Sequence, residues 1–222
     1  MGKLYAISDI HGCFSQFSEL VVSRISLTRS DRLVLLGDYI DRGDQSREVV
    51  DFIIDLIAKG FGITTLTGNH ERMLCESYHD RNMLPLWMMN SGESTLRSFG
   101  VEDVEDIGQK YIDFFEGLEY YSRIGDFIFV HAGFNDRAED PFSDRFNMIW
   151  ETSFSYNNPV FAGMTIIHGH RPKTLSHVRR LIDEKSNVIP IDTGCVYGKE
   201  MGYGFLSALE LNSMDLISVP YE

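Results

Sequence analysis

The chain has 222 residues, 43% of them hydrophobic, enough to bury a real core as one domain over residues 1–222. Twenty Lys and Arg against 33 Asp and Glu leave a net charge of -13, which argues against a broad surface for nucleic acid or for an acidic membrane leaflet. Three widely spaced cysteines without a CxxC pair exclude a disulfide framework or a thiolate zinc site.

Short β-type runs alternate with helical patterns along the chain. "LYAIS" (4–8) reads as a first strand, and Phe17, Leu20, Val21 and Ile25 follow at helical spacing. "RLVLL" (32–36) is a second strand, after which a helix carries Val49, Val50, Ile53, Ile54 and Ile57 on one face. "GITTLT" (62–67) is a third strand, so the first third is β-α-β-α-β, the signature of an α/β layered core. Residues 71–120 are mostly helical in pattern. Further strands are expected at "FIFVH" (127–131), "MTIIH" (164–168) and "VIPID" (188–192), with a closing hairpin in "FLSALEL", "NSMD" and "LISV". No apolar run is long enough to span a bilayer and the N-terminus lacks a signal peptide's apolar region, so a cytoplasmic protein is expected.

Polar clusters follow five of these strands: "SDIHG" (8–12), "GDYIDRG" (37–43), "GNHE" (68–71), "HAG" (131–133) and "HGH" (168–170). Loops at the carboxyl ends of strands converge on one rim in an open α/β sheet, so five clusters imply one shared site. Asp9 and His11 stand two apart, and an extended backbone would point both side chains the same way. Asp38 adds a carboxylate, Asn69 an amide oxygen, and His131 with a histidine of "HGH" two imidazoles. Oxygen and nitrogen donors without thiolate suit divalent Mn, Fe or Zn. They are too many for one ion, and a pair about 3.5 to 4 Å apart bridged by Asp38 would use them all.

At these residues the sequence resembles the calcineurin-like metallophosphoesterases, and within them the serine/threonine phosphoprotein phosphatases. The D-x-H-G, G-D-x-x-D-R-G, G-N-H-E, H-A-G and G-H elements occur in order over residues 8–170. "NSGESTLRSFG" (90–100) and "IDTGCVYGK" (191–199) are similar to segments of the small bacterial and phage phosphatases. The resemblance implies a layered α/β fold, central mixed β-sheets packed as a sandwich and flanked by helices. It further implies that Asp9, His11 and Asp38 hold one divalent ion, with Mn²⁺ favoured. Asp38, Asn69, His131 and His170 hold the second. His70 would be the general acid, oriented by Asp41, and Arg42 would bind phosphate. The implied reaction is hydrolysis of a phosphorylated protein or small phosphoester by a hydroxide held between the ions. A symmetrical dinucleoside tetraphosphatase is the alternative activity, and a non-catalytic phospho-ligand module is disfavoured because His70 is kept.

Two departures from that pattern stand out. "MIWETS" places Thr152 where the family commonly has a second phosphate-binding arginine, and Arg171 is a candidate replacement. "YGKEM" replaces the usual glycine pair at Lys199. His168 is expected to support its neighbours rather than to ligate.

Overall fold

The computed structural model describes residues 2–153, 155–198 and 202–221, so Lys199 and its departure from the family pattern lie outside the described residues. Among the described residues, nine strands form two mixed sheets. The first has the order β3-β2-β1-β8-β9, from β1 (Leu4–Ile7), β2 (Arg32–Leu35), β3 (Gly62–Thr65), β8 (Phe205–Glu210) and β9 (Asp215–Pro220). The second runs β4-β5-β6-β7, from β4 (Tyr121–Ile124), β5 (Phe127–Val130), β6 (Thr165–His168) and β7 (Val188–Pro190). β1, β2 and β3 are mutually parallel, as are β5, β6 and β7, whereas β8, β9 and β4 join antiparallel.

Period-two alternation sorts the side chains into layers. Ala6, Val34 and Leu209 of the first sheet meet Phe129, Ile167 and Ile189 of the second in one buried cluster between the sheets. Tyr5, Ile7, Leu33 and Leu35 point the other way, into a core shared with α1 (Phe14–Ser18), α2 (Ser46–Ala58), α3 (Asn69–His79), α4 (Leu84–Met89), α5 (Gly92–Phe99) and α6 (Gln109–Glu116). The far face of the second sheet packs Ile128, Val130 and Ile166 on Phe134, Phe161 and Met148 of α7 (Arg145–Trp150). Helix α8 (Leu175–Asp183) joins β6 to β7 and buries Val178 in the cluster between the sheets. Strands covered on both faces are apolar throughout, which is why their runs read so clearly.

Two details differ from expectation. On α2 the buried stripe is Val49, Val50, Ile53 and Leu56, while Ile57 is 43% exposed. Strand β4 was not foreseen: "YSRI" is a half-exposed edge strand with no apolar run. Among the described residues no helix is long and apolar enough to cross a membrane, and all three cysteines are free and buried.

Candidate metal centre

Five loops leave the carboxyl ends of β1, β2, β3, β5 and β6 and meet on one rim. They do so through sharply turned rather than extended backbone. Among the described residues ten non-glycine residues have positive φ, and six of them are Asp9, His11, Asp38, Asp41, Arg42 and His170. At Asp9 and His11 φ is 27° and 44°, which corrects the expectation of an extended segment that points both side chains the same way. Such left-handed conformations cost energy in L-residues and cluster where a surrounding structure over-determines them. Glycines open the space between loops: a Cβ on Gly68 would run into the Asp38 carboxylate, and one on Gly169 into Ser8 and Asp9.

Hydrogen bonding fixes which ring atoms face inward. His11 Nδ1 donates to the Ile40 carbonyl at 2.9 Å and His131 Nδ1 to the Leu36 carbonyl at 3.0 Å. Burial, then the charges of His70 and Arg42, hold His11 neutral well below its ordinary range, and burial lowers His131 likewise. Each neutral ring thus aims an Nε2 lone pair at Asp38 Oδ2, 3.5 Å away in both cases. Asn69 Oδ1 lies 3.1 Å from both His131 Nε2 and His170 Nδ1, and those two nitrogens are 3.2 Å apart. Burial, with His131 and Arg171 nearby, brings His170 down to about 2.

These buried lone pairs face one another with few donors between them, an arrangement that repels unless a cation occupies it. Among the described residues two groups are close enough to share an ion: His11, Asp38 and His70, and Asp38, His131 and His170. Asp38 belongs to both. Burial pushes Asp38 well above the usual carboxylate range, with the charges of Asp9 and Glu71 adding to the effect. A divalent cation would reverse that cost, so the donor set fits hard or borderline ions.

Most of the expected residues assemble here, with two displacements. The Asp9 carboxylate accepts from the His170 backbone N–H at 3.0 and 3.1 Å and from the Ser8 hydroxyl, and the Nε2 of His70 lies 4.0 Å from Asp38 Oδ2. Arg42 lies across the cluster, donating to His11 Nε2 at 2.8 Å, to His70 Nε2 at 3.3 Å and to the Tyr197 hydroxyl at 2.7 Å. Arg171 is exposed, and no hydrogen bond or ion pair among the described residues ties its side chain to the cluster. At the position of the usual arginine, Thr152 Oγ1 is buried without a partner. His168 is fully buried, its Nδ1 against the Gly169 carbonyl at 3.1 Å and its Nε2 unpartnered.

Asp41 meets His70 Nδ1 at 2.7 Å, and its carboxylate also accepts from Trp87 Nε1 at 2.9 Å and from Thr95 Oγ1. With both oxygens engaged, the aspartate cannot rotate and neither can the imidazole. The sequence reading missed Trp87 and Thr95, although Thr95 lies in the quoted "NSGESTL" segment.

It also missed Glu71. This fully buried carboxylate accepts from the backbone N–H groups of Gly68 and Asp38 at 2.9 Å each, Tyr39 at 2.7 Å and Ile40 at 3.4 Å. It ties the loop bearing Asp38 to the loop bearing Asn69. Burial raises its carboxyl despite those donors. Only its spacing, a glutamate three residues into a helix start, marked it in advance.

Comparison with known proteins agrees with this geometry. The bis(5'-nucleosyl)-tetraphosphatase PrpE [asymmetrical] of Geobacillus sp. (strain WCH70) is 28% identical, the match covering 98% of this chain and 94% of the relative. The protein of the same name from Bacillus subtilis (strain 168) is 24% identical over 96% and 93%. A solved serine/threonine phosphatase from Saccharomyces cerevisiae, with similarity to human phosphatase PP5, shares the fold at a TM-score of 0.67 and 15% identity, covering 100% of this chain and 80% of that one. The calcineurin-like phosphoesterase family model matches residues 2–199, a span that contains every loop of the rim. That match covers most of the chain, which therefore belongs to the calcineurin-like phosphoesterases.

Proposed function

We propose that this phosphoesterase hydrolyses dinucleoside polyphosphates, cutting a phosphoanhydride bond in the bridge of a dinucleoside tetraphosphate. The observation that carries the reading is near-full-length similarity to proteins named bis(5'-nucleosyl)-tetraphosphatase. The expected phosphoprotein phosphatase activity rests on motifs that both activities share, and its solved counterpart is alike in fold only. The relatives' names also favour asymmetrical over symmetrical cleavage.

His11, Asp38, His131, His170 and Asn69, with Asp9 beside them, would hold two divalent ions, Mn²⁺ being the first to test. Bound there, such ions acidify a water and neutralise charge on phosphoryl oxygens. The rest falls to the chain. Arg42 reaches over the cluster with its fork pinned by Tyr197, placed to take two oxygens of a phosphoryl group. Once substrate engages Arg42, His70 Nε2 is free to carry a proton. As the water oxygen bonds to phosphorus and the bridging P–O bond breaks, the electron pair passes to the leaving phosphate oxygen, which His70 stabilises by donating a hydrogen bond, full proton transfer being needed only by a more basic leaving group. Asp41 keeps the ring aimed and supports its positive charge.

The test is turnover of diadenosine tetraphosphate, a phosphoserine peptide and p-nitrophenyl phosphate by Mn²⁺-loaded protein, with the nucleotide products resolved. We expect kcat/KM on the dinucleotide to exceed that on the peptide by an order of magnitude or more, with unequal products. Faster turnover of the peptide would overturn the reading.

A further inference from the structure

The structure assigns a second binding element to this chain: a cleft beside the metal centre that receives the distal nucleotide of the substrate. The inference rests on the dinucleotide reading above, and it comes from the charge and shape of one surface. A cleft of about 610 Å³ is lined by Arg72, Arg123 and Arg145 together with Tyr120, Tyr121 and Phe142. Its walls are parts of elements that also build the rim. Arg72 lies on α3 three residues after Asn69, about 4.5 Å along the helix axis. Arg145 opens α7, whose last residue, Trp150, stands edge-on to His170 with ring centroids 6.2 Å apart. Tyr120 and Tyr121 follow Glu119, which shares backbone hydrogen bonds with Thr65 and Thr67 just before Gly68 and Asn69.

The charges in this cleft are not used elsewhere. Arg24, Arg47, Arg81 and Arg97 each pair with a carboxylate. Among the described residues no hydrogen bond or ion pair engages the guanidinium of Arg72, Arg123 or Arg145. Of the two acidic residues in the lining, Glu116 is taken by His79 at 2.5 Å and Glu119 shares the wall, so the three arginines outnumber the carboxylates there. In a protein of net charge -13, three uncommitted arginines around one cleft form a local positive field that draws an anion. The Arg145 guanidinium lies 4.9 Å from the centroid of the Tyr120 ring. A cation held on an aromatic face in this way leaves its edge donors free for phosphate oxygens. The half-buried faces of Tyr121 and Phe142, tilted at centroids 4.8 Å apart, give a nucleobase an apolar wall. Arginine forks for a phosphate chain, next to aromatic rings for a base, match the nucleotide that remains beyond the scissile bond.

The test compares wild type with the double variant Arg123→Ala/Arg145→Ala, both changes being at exposed positions. Two readouts are taken on Mn²⁺-loaded protein: steady-state kinetics on diadenosine tetraphosphate, and inhibition of p-nitrophenyl phosphate hydrolysis by ATP. We expect KM for the dinucleotide and the ATP inhibition constant each to rise on the order of 10-fold, as for a lost charged contact. kcat/KM on p-nitrophenyl phosphate, too short to reach the cleft, should change less than about two-fold. The double variant Arg24→Ala/Arg97→Ala, which removes equal charge elsewhere, should leave the ATP constant in place. Unchanged ATP inhibition in the cleft variant, or an equal rise in the control variant, overturns the cleft. Wild-type protein that ignores diadenosine tetraphosphate overturns the functional reading instead, and the ATP arm still decides the cleft.

Discussion

Replacing Glu71 with Gln removes one of two acceptor oxygens from the buried junction between the Asp38 and Asn69 loops. One carboxylate oxygen serves Gly68 and Asp38, the other Tyr39 and, at longer range, Ile40. A glutamine has a single oxygen, so in either orientation its NH₂ faces a backbone donor. One well-made hydrogen bond is lost outright, leaving a buried N–H unsatisfied at about 1–3 kcal/mol, and the others weaken as the acceptor becomes neutral. The total should be about 2–5 kcal/mol, or roughly 5–20 °C in Tm for a chain of this size. Thermal unfolding of metal-free protein, followed by circular dichroism, measures it apart from ion binding. Titration with Mn²⁺ should then show weaker uptake, because Asp38 and Asn69 no longer share an anchor. A variant that melts within about 2 °C of wild type would refute the view that these four donors hold the loops together.

Asp38→Asn should weaken both ions, whereas His11→Ala should weaken one, and elemental analysis finding two tightly held ions in the Asp38 variant would contradict the bridge. His70→Asn, checked to be metal-replete, should lower kcat on a phosphoserine peptide by about 10² to 10⁴. It should cost distinctly less on p-nitrophenyl phosphate or a dinucleotide, whose leaving groups depart without full protonation. Equal losses on all three would leave His70 as a positioning group. Asp31 accepts from the Lys3 N–H and from the backbone and hydroxyl of Thr28, at 2.7 to 2.9 Å. Burial alone would raise its carboxyl, but those donors outweigh it and hold the group below its ordinary value. Its stabilising effect is therefore complete above the unfolded value near 3.9 and fades as pH falls through the folded one. Asp31→Asn should melt lower at pH 7 and converge with wild type in acid, and parallel melting curves across that range would count against it.

The loops of the centre were legible because their chemistry is local. A carboxylate, an imidazole or an amide oxygen next to a glycine turn announces a donor wherever the chain carries it. Buried strands were legible because both faces are covered. What escaped depends on partners distant in sequence. Trp87 matters through Asp41, 46 residues away, and Glu71 through Asp38, 33 away. Neither carries a mark of that role. On α2, Leu56 and Ile57 are equally apolar, and only the packing of the neighbouring layer selects Leu56. Strand β4 is polar because it sits at a sheet edge, so hydropathy had nothing to register. The left-handed turns at Asp9 and His11 likewise come from the loops around them, including the bonds from Ile10 and His11 N–H to the Asp38 carbonyl.

Those left-handed residues have an evolutionary corollary. Each costs about 1–3 kcal/mol that glycine would not, and asparagine less. On the hydrolytic reading proposed above, selection for turnover is what holds Asp9, His11, Asp38, Asp41, Arg42 and His170 in these conformations. A lineage released from that selection gains stability with each of these positions that drifts to glycine or asparagine, so loss of function here is downhill in folding free energy. Related chains that have abandoned catalysis should therefore carry their erosion first at these turns, with the apolar layers on either side of the sheets intact and the fold more heat-resistant than its active cousins.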